Sequence, residues 1–498
     1  MTASPKVLIA GAGPVGLTLA NELARHGVSV RIVDKAGERT DKSKALVMWS
    51  RTLELFDDAG YVDKFLPAGM VAHGAQISTG KEVVARISFG SLDSRYPYAL
   101  MIPQSETERV LEEQLAARGV TVERLVELSG FDEEGDKVDA TIKKANGETE
   151  TVSADWLIGC DGAHSTVRHG LGFTFEGSTQ QSDWVLADGY LSGLEPKDRI
   201  HIFWHREGIL AFFPIGSERW RVVADLGPAT SEARHPDPTL ADVQALLMQR
   251  GSPGITMSDP VWLAAFRINE RKVKDYRRGR VFLAGDAAHI HSPAGGQGMN
   301  TGIQDAFNLA WKLKMVIAGT ARSSLLDSYS VERSAIGEIV LRNAGRMTDA
   351  AILRNPIAQG LRNAVVKFAA GFPVLQHAVA DQLSELKLAY PMSPLTAKND
   401  HAGHAGHAGH AGHGPKPGMR WPDRLPGDAA GRIFTALGPQ AVVTALAAKL
   451  PKLVMPVSAD DPAHAGALRL IRPDGYVGFV GSSADQEHAE TYLAGISA

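Results

Sequence analysis

Apolar and polar positions alternate with two periods along this chain, and the first 35 residues show both. Val7–Ala10 is an apolar run of strand length. Leu17, Leu19, Ala20, Leu23 and Ala24 then recur at helical spacing, and Val28–Val33 is a second strand. The pattern predicts helices over Thr52–Ala59 and Glu106–Arg118. Val138–Lys144 and Thr149–Ser153 alternate like strands around Asn146-Gly147, a strong hairpin signal. Trp156–Gly159 is a short buried strand that runs into Asp161-Gly162.

From about Phe173 to Ile268 the texture is sheet-like. Trp184–Tyr190, Ile200–Trp204, Ile209–Pro214 and Arg219–Asp225 read as strands, and Asp242–Arg250 as a helix. Val281–Ala284 returns to the earlier style, followed by a Gly-rich loop and a long helix over Gly298–Ala318; residues 325–390 are mostly helical in pattern. His401–His413 is a tandem His-Ala-Gly run with nothing large enough to bury, which predicts a flexible linker. The last 80 or so residues regain globular texture, with a strand–turn–strand at Leu468–Ile471, Arg472–Gly475 and Tyr476–Val480. The organisation expected is a dinucleotide-binding domain over 1–172 and 276–395, a sheet domain inserted at 173–275, a linker at 396–418 and a small α/β module at 419–498.

Composition narrows the class. The chain has 498 residues, 44% apolar and 22% charged, ordinary for globular proteins. Its net charge of −4 gives no electrostatic footprint for nucleic acid. The start lacks a basic leader and flows into a glycine motif, unlike a secretory signal. No apolar stretch reaches the roughly 18 residues of a spanning helix, so no membrane contact is expected and the cytoplasm is the expected compartment. The single cysteine, Cys160, excludes an intramolecular disulfide, a four-cysteine zinc site and a redox cysteine pair. In its apolar strand it reads as a small buried hydrophobe. The five histidines of the repeat have no preset geometry, so no specific metal site is expected.

Gly11-Ala12-Gly13-Pro14-Val15-Gly16 matches G-x-G-x-x-G between a strand and a helix, ahead of a second strand ending in Asp34-Lys35. Gly11 permits the tight turn, Gly13 lets backbone approach a pyrophosphate at the helix start, and Gly16 allows close packing. Asp34 can accept from an adenosine ribose. Such a motif binds a nicotinamide or a flavin nucleotide. Asp286 ends the buried strand before the Gly295-Gly296-Gln297-Gly298-Met299-Asn300 loop, where α/β folds place ligand contacts. That loop brings bare backbone against a planar ligand and points a helix N-terminus at it.

These segments, with Pro103–Arg109 and Cys160–Arg168, resemble the class A flavoprotein aromatic monooxygenases, relatives of phenol, para-hydroxybenzoate and polyketide hydroxylases. The resemblance spans about residues 6–320. It implies an α/β fold, with a Rossmann-like FAD-binding domain, an inserted sheet-rich substrate domain and a thioredoxin-like C-terminal domain. It implies FAD as cofactor, NADPH or NADH as transient co-substrate, and an aromatic small molecule with O2 as reactants, through a flavin C4a-hydroperoxide. By position, Gln104 resembles the glutamine that contacts FAD, Val126 a backbone contact to adenine, Asp161 an acid linked to both nucleotides, and Asp286 the acid on the ribityl chain. Gly296, Gly298, Met299 and Asn300 resemble the loop along the isoalloxazine, with N–H groups near N1 and O2. Lys44 stands where most relatives have arginine; it keeps the charge and loses the bidentate fork.

Other residues stay open. His289 and His291 could touch substrate or pack the loop. Phe212-Phe213-Pro214 could line a pocket or fill a core, and no catalytic base is identified. The C-terminal module has no cysteine for dithiol chemistry, so packing and oligomer contacts, a homodimer among them, are its expected roles. A flavoprotein of the same fold that does not insert oxygen, and a non-catalytic FAD-binding protein, are the alternatives.

Overall fold

The computed structural model describes residues 4–398, 414–425, 431, 433–458 and 467–498. The His401–His413 run, expected to be a linker, lies outside the described residues.

A six-stranded sheet runs in the order Arg277–Arg278, Val281–Leu283, Trp156–Gly159, Val7–Ala10, Val30–Asp34, Val122–Arg124. All pairs are parallel except Arg277–Arg278 with its neighbour. The three central runs are buried along their whole length, as parallel strands covered on both faces must be. Helices Pro14–Arg25 and Gly298–Ile317 pack into the same core, and so does a three-stranded antiparallel sheet through Val138, Ala140 and Ile142. The expected hairpin forms at Asn146-Gly147: Gly147 has φ +84°, and Asn146 Oδ1 accepts from the Glu148 N–H at 3.0 Å.

An eight-stranded sheet stands beside it, in the order His289–Ile290, Thr256–Lys272, Glu176–Ser192, Arg219–Pro228, Gly208–Pro214, Arg199–His205, Gly74–Thr79, Glu82–Ser88. The four strands expected between Phe173 and Ile268 all fall inside its strands. Two features were not anticipated. Gly74–Thr79 and Glu82–Ser88 come from well before residue 173. The 17-residue strand Thr256–Lys272 also escaped the pattern, because most of its residues are half-buried or exposed and its alternation is weak. Helix Leu240–Arg250, capped by Thr239 and Asp242, lays Val243 and Leu247 against Leu210 and Phe212 on one face of this sheet. The other face meets a cluster that contains Val47, Trp49 and Leu383.

The C-terminal module is a four-stranded sheet, Val454–Ser458, Phe434–Gly438, Ala467–Ile471, Val477–Ser482, with the first pair parallel and the others antiparallel. Helices Gln440–Lys449 and Gln486–Ala494 cover it. Its core is continuous with Trp311 and Met315 on the far half of helix Gly298–Ile317. Below that helix, Arg472 grips Glu332 with two bonds of 2.6 and 2.9 Å, and Lys312 donates to the same carboxylate at 2.7 Å. Burial opposes ionisation of Glu332, yet the Arg472 and Lys312 charges hold its carboxyl below the usual range. Burial lowers the Lys312 ammonium to about 8 against the pull of Glu332.

Candidate cofactor and active site

Parallel pairing brings the sequence motifs to one edge. Ala10 pairs with both Val33 and Gly159, and Gly159 with Leu283, so Gly11, Asp34, Asp161 and Asp286 all follow strand ends at the same side of the sheet. Gly11 has φ +100°, and a Cβ there would stand 2.3 Å from the Cys160 carbonyl oxygen. A Cβ on Gly16 would lie 2.0 Å from the Gly11 oxygen, so neither glycine is replaceable without moving backbone. Gly13 differs: its Cβ direction is open to 4 Å. It precedes helix Pro14–Arg25, whose start has no side-chain cap and no acid in its first turn. That is a ready anion seat.

Asp34 is fastened by the Ala12 N–H at 2.6 Å and the Ala36 N–H at 2.8 Å, which turns the chain over the glycine loop; Lys35 is exposed. Val126 is buried at the start of its strand. Its neighbour Leu125 has φ +56° and is 52% exposed, with its N–H bound to the Ala36 carbonyl at 3.2 Å. A bulky residue in the left-handed region is strained. Sequence gave no signal of it.

Val15 joins two motifs. Gly285 has φ +60°, and a Cβ on either Gly285 or Gly302 would come within 2.7 Å of Val15 Cγ2. Asp286 follows. Its side chain is open to solvent between the buried residues Gly285 and Ala287; desolvation by the protein around it raises its carboxyl, opposed by His289 and Lys44. Lys44, itself exposed, is thus electrostatically linked to Asp286. Asp161 Oδ2 accepts the Thr166 N–H at 2.7 Å, while its Oδ1 is buried with no partner.

The Gly-rich loop needs its glycines: Gly295 and Gly296 have φ +82° and +64°. Asn300 is fully buried and holds the loop to strand Val47–Met48. Its amide donates to the Val47 oxygen at 2.8 Å and to the Gly296 oxygen at 2.9 Å, and its Oδ1 accepts the Trp49 N–H at 2.8 Å. The Trp49 indole donates to the Gly295 oxygen at 2.8 Å. The Asn300 side chain is therefore committed to backbone. Beside it Met299 is buried, and Gly298 opens the helix with no side-chain cap. Gln104 is engaged too: it accepts the Ala45 N–H at 3.1 Å and donates to Glu108 at 2.9 Å, fixing the Lys44 segment.

Beneath the loop, Asp305 accepts the Gly285 N–H at 3.0 Å, the His289 Nε2–H at 2.8 Å and the Arg333 Nε–H at 2.6 Å. His289 is thus a packing residue. His291 donates its Nδ1–H to the Ser292 oxygen at 2.9 Å, and burial pushes its pKa down to about 4. Phe212 and Phe213 divide as strand neighbours do: Phe212 fills the core beneath helix Leu240–Arg250, and Phe213 faces the loop side with Ile202 and Met347. Sequence reasoning also missed Trp49 and Arg221. Arg221 forms a buried pair with Asp188 and donates to the Lys44 carbonyl at 3.3 Å, tying the large sheet to the Lys44 segment.

The unpartnered Asp161 oxygen, the open flank of Gly13 and the solvent-facing Asp286 fit a flavin dinucleotide. The model of the FAD binding domain family matches residues 4–344. The chain belongs to this family. Its cofactor is FAD. Relatives extend the likeness. The chain is 39% identical over 399 residues to 6-methylpretetramide 4-monooxygenase of Streptomyces rimosus, covering 79% of this chain and 71% of that enzyme. Among solved structures, the OxyS anhydrotetracycline hydroxylase from Streptomyces rimosus superposes with a TM-score of 0.80 at 32% identity, over 99% of both chains. CabE, an aromatic hydroxylase from angucycline biosynthesis, gives 0.79 at 31% identity, over 100% of both.

Proposed function

We propose that this chain hydroxylates a phenolic, multi-ring aromatic compound of the polyketide kind. It is an FAD-dependent aromatic monooxygenase that consumes NAD(P)H and O2. FAD, when bound and reduced, supplies the oxygen-activating chemistry; the chain binds, orients and excludes water. One observation carries the reading of the site: four strand ends lie along one edge of the parallel sheet beside an uncapped helix start, and the large sheet packs against strand Val47–Met48 next to them.

In this proposal the pyrophosphate rests on the helix start at Gly13, Pro14, Val15 and Gly16. Asp34 and Lys35 flank the adenosine ribose, and Val126, turned by Leu125, meets the adenine. Asp286 accepts from ribityl hydroxyls, with Lys44 offsetting its charge, and Asp161 Oδ1 gains a partner. The N–H groups of Gly298, Met299 and Asn300 favour negative charge on the isoalloxazine, an effect of a few kcal/mol per donor. Substrate lies between the loop and the sheet, against Phe213, Ile202 and Met347, which are half-buried there. Gln104 acts by holding the Lys44 segment. The nicotinamide nucleotide visits transiently, consistent with a single Gly-rich parallel sheet among the described residues. The module after residue 418 is thioredoxin-like, as its 2-1-3-4 strand order supports, and contributes packing. The cytoplasm, which supplies reduced nicotinamide nucleotide, is the proposed compartment.

Anaerobic stopped-flow at the flavin absorbance band tests the reading. Reduction by NAD(P)H is expected to be at least about tenfold faster with a suitable phenol, about 1.4 kcal/mol of barrier. With labelled O2 the product gains one labelled oxygen. NAD(P)H oxidation without label in any product would make the chain an electron-transfer flavoprotein instead. Asp286→Ala is expected to give folded protein nearly free of flavin; a fully yellow variant refutes its role.

A further inference from the structure

Glu385 combines three unfavourable features. Its side chain is buried, at 1% exposure. Among the described residues no lysine, arginine or histidine forms an ion pair with it. Its oxygens accept instead from neutral groups, the Thr301 hydroxyl at 2.9 Å and the Gln304 amide. Its backbone has φ +62°, which a glycine adopts freely and a glutamate only under strain. A glutamine could hydrogen-bond to both neighbours, so what needs explaining is a group able to ionise there.

Its place supplies the explanation. Segment 382–385 lies against the Gly-rich loop: the Gln297 amide donates to the Gln382 oxygen at 2.9 Å, and a Cβ on Gly295 would stand 3.2 Å from Leu383 Cδ2. Thr301 and Gln304 stand in the first two turns of helix Gly298–Ile317. In the reading above, the N–H groups at that helix start favour negative charge on the isoalloxazine. Charge arriving on the ring and charge on Glu385 would thus face each other through the same turns of helix, and like charges in a dry site raise each other's hold on protons.

The surrounding charges leave the carboxyl able to respond. Burial raises it to about 8; the Thr301 hydrogen bond and the Arg333 charge work against that, and Asp305 adds to it. Arg333, on helix Asp327–Ala351, gives its donors to Asp305 at 2.6 Å, the Tyr390 hydroxyl at 2.9 Å and the Thr301 oxygen at 3.0 Å. Arg51, whose backbone N–H reaches the Ser384 oxygen at 3.3 Å, turns its guanidinium to Glu54 and the Asp474 oxygen. On the segment itself Lys387 pairs with Asp381 at 3.5 Å.

We propose that Glu385 takes up a proton when the flavin is reduced and returns it on reoxidation, offsetting from behind the helix the charge placed on the ring. The inference rests on the cofactor placement proposed above. A hydride from NAD(P)H brings two electrons and one proton to the oxidised flavin and leaves it an anion; a further proton, drawn from solvent, converts the Glu385 carboxylate to the acid.

Spectroelectrochemical titration of the FAD holoenzyme tests it. Between about pH 6.5 and about pH 10 the wild-type midpoint potential is expected to fall roughly 30 mV or more beyond that of Glu385→Gln, the equivalent of a tenfold difference in the carboxyl's proton affinity between the two redox states. A merely structural role would leave the two slopes parallel. Reduced-minus-oxidised infrared spectra taken near the carboxyl's midpoint are expected to gain the C=O band of a protonated carboxyl in wild type and not in Glu385→Gln. Glu385→Gly, which relieves the backbone, is expected to follow the glutamine variant and keeps the test open should that variant fold poorly. Parallel slopes, or a carboxyl band that survives either substitution, overturn the proposal. The cofactor placement fails separately: an Asp286→Ala variant that stays fully yellow refutes it whatever the slopes, and one that loses its flavin beside parallel slopes refutes the role of Glu385 alone.

Discussion

Helix Gly298–Ile317 and helix Pro356–Ala369 are built to opposite plans. In the first, sixteen of twenty residues are buried, and they include Asn300, Thr301, Gln304, Asp305, Asn308 and Lys312. Each of these polar side chains has a partner: Asn300 on strand Val47–Met48, Thr301 and Gln304 on Glu385, Asp305 on Arg333, Asn308 and Lys312 on Glu332. In the second, Ile357, Leu361, Val365 and Phe368 are exposed while Val366 packs inward, and the most buried residue is a glutamine. Apolar spacing alone therefore does not say which face points inward. Burial of polar groups is tolerated where partners exist.

Four substitutions sharpen the contrast. Asn300→Ala leaves the Trp49 N–H and two carbonyls without a partner in a dry site. Unfolding free energy is expected to fall by roughly 2–4 kcal/mol, read from urea titration of the holoenzyme. Gly302→Ala drives a Cβ to 2.7 Å from Val15 Cγ2 and 3.1 Å from the Gly285 Cα. A cost of about 1–3 kcal/mol with weaker FAD binding is expected, measured by flavin fluorescence on dilution.

Glu385 lies against the same helix. Burial raises its carboxyl to about 8, opposed by hydrogen bonds from Thr301 and Gln304. A carboxyl whose folded pKa is raised binds a proton more tightly when folded. Its contribution to stability is full below about pH 4.5 and is lost as pH rises through about 8. Glu385→Gln keeps the bond from Gln304 on its amide oxygen, donates its NH2 to a Thr301 hydroxyl turned to accept, and removes this loss. The variant is expected to match wild type at about pH 4.5 and to exceed it by on the order of 1–2 kcal/mol near pH 8.5, read from paired melting curves. The smallest effect reverses the sign. Gly360 is helical with nothing within 4 Å of its Cβ direction, so Gly360→Ala should stabilise by about 0.5–1 kcal/mol. A loss instead would mean that the outer helix is packed more tightly than its exposure indicates.

Much of the cofactor edge was legible because its constraints are local. A strand, a tight turn and a helix start leave a glycine signature in consecutive residues, and Val7–Ala10, Gly11–Gly16 and Trp156–Gly159 fall where the pattern put them. The contribution of Gly74–Ser88 to the large sheet was not legible. Gly74–Thr79 joins Arg199–His205 in parallel across more than a hundred residues, and no local pattern encodes that pairing. Asn300 was found by its motif, but its side-chain partners Val47 and Trp49 lie some 250 residues away. Leu125 and Glu385 carry positive φ at residues that favour negative values, a state imposed by tertiary context.

The grip of Arg472 on Glu332 has a consequence for the life of the chain on the ribosome. Helices Gly298–Ile317 and Asp327–Ala351 are finished long before Arg472 is made, yet Arg472 neutralises the carboxylate buried between them and its neighbour Asp474 reaches Asn308. Until Arg472 emerges, Lys312 is the one cation among the described residues paired with Glu332 in a dry site, and a half-paired buried charge is costly. The helix behind the Gly-rich loop is therefore braced only once the segment around Arg472 is made: a nascent chain that stalls before it carries every glycine of the fingerprint but not this keystone.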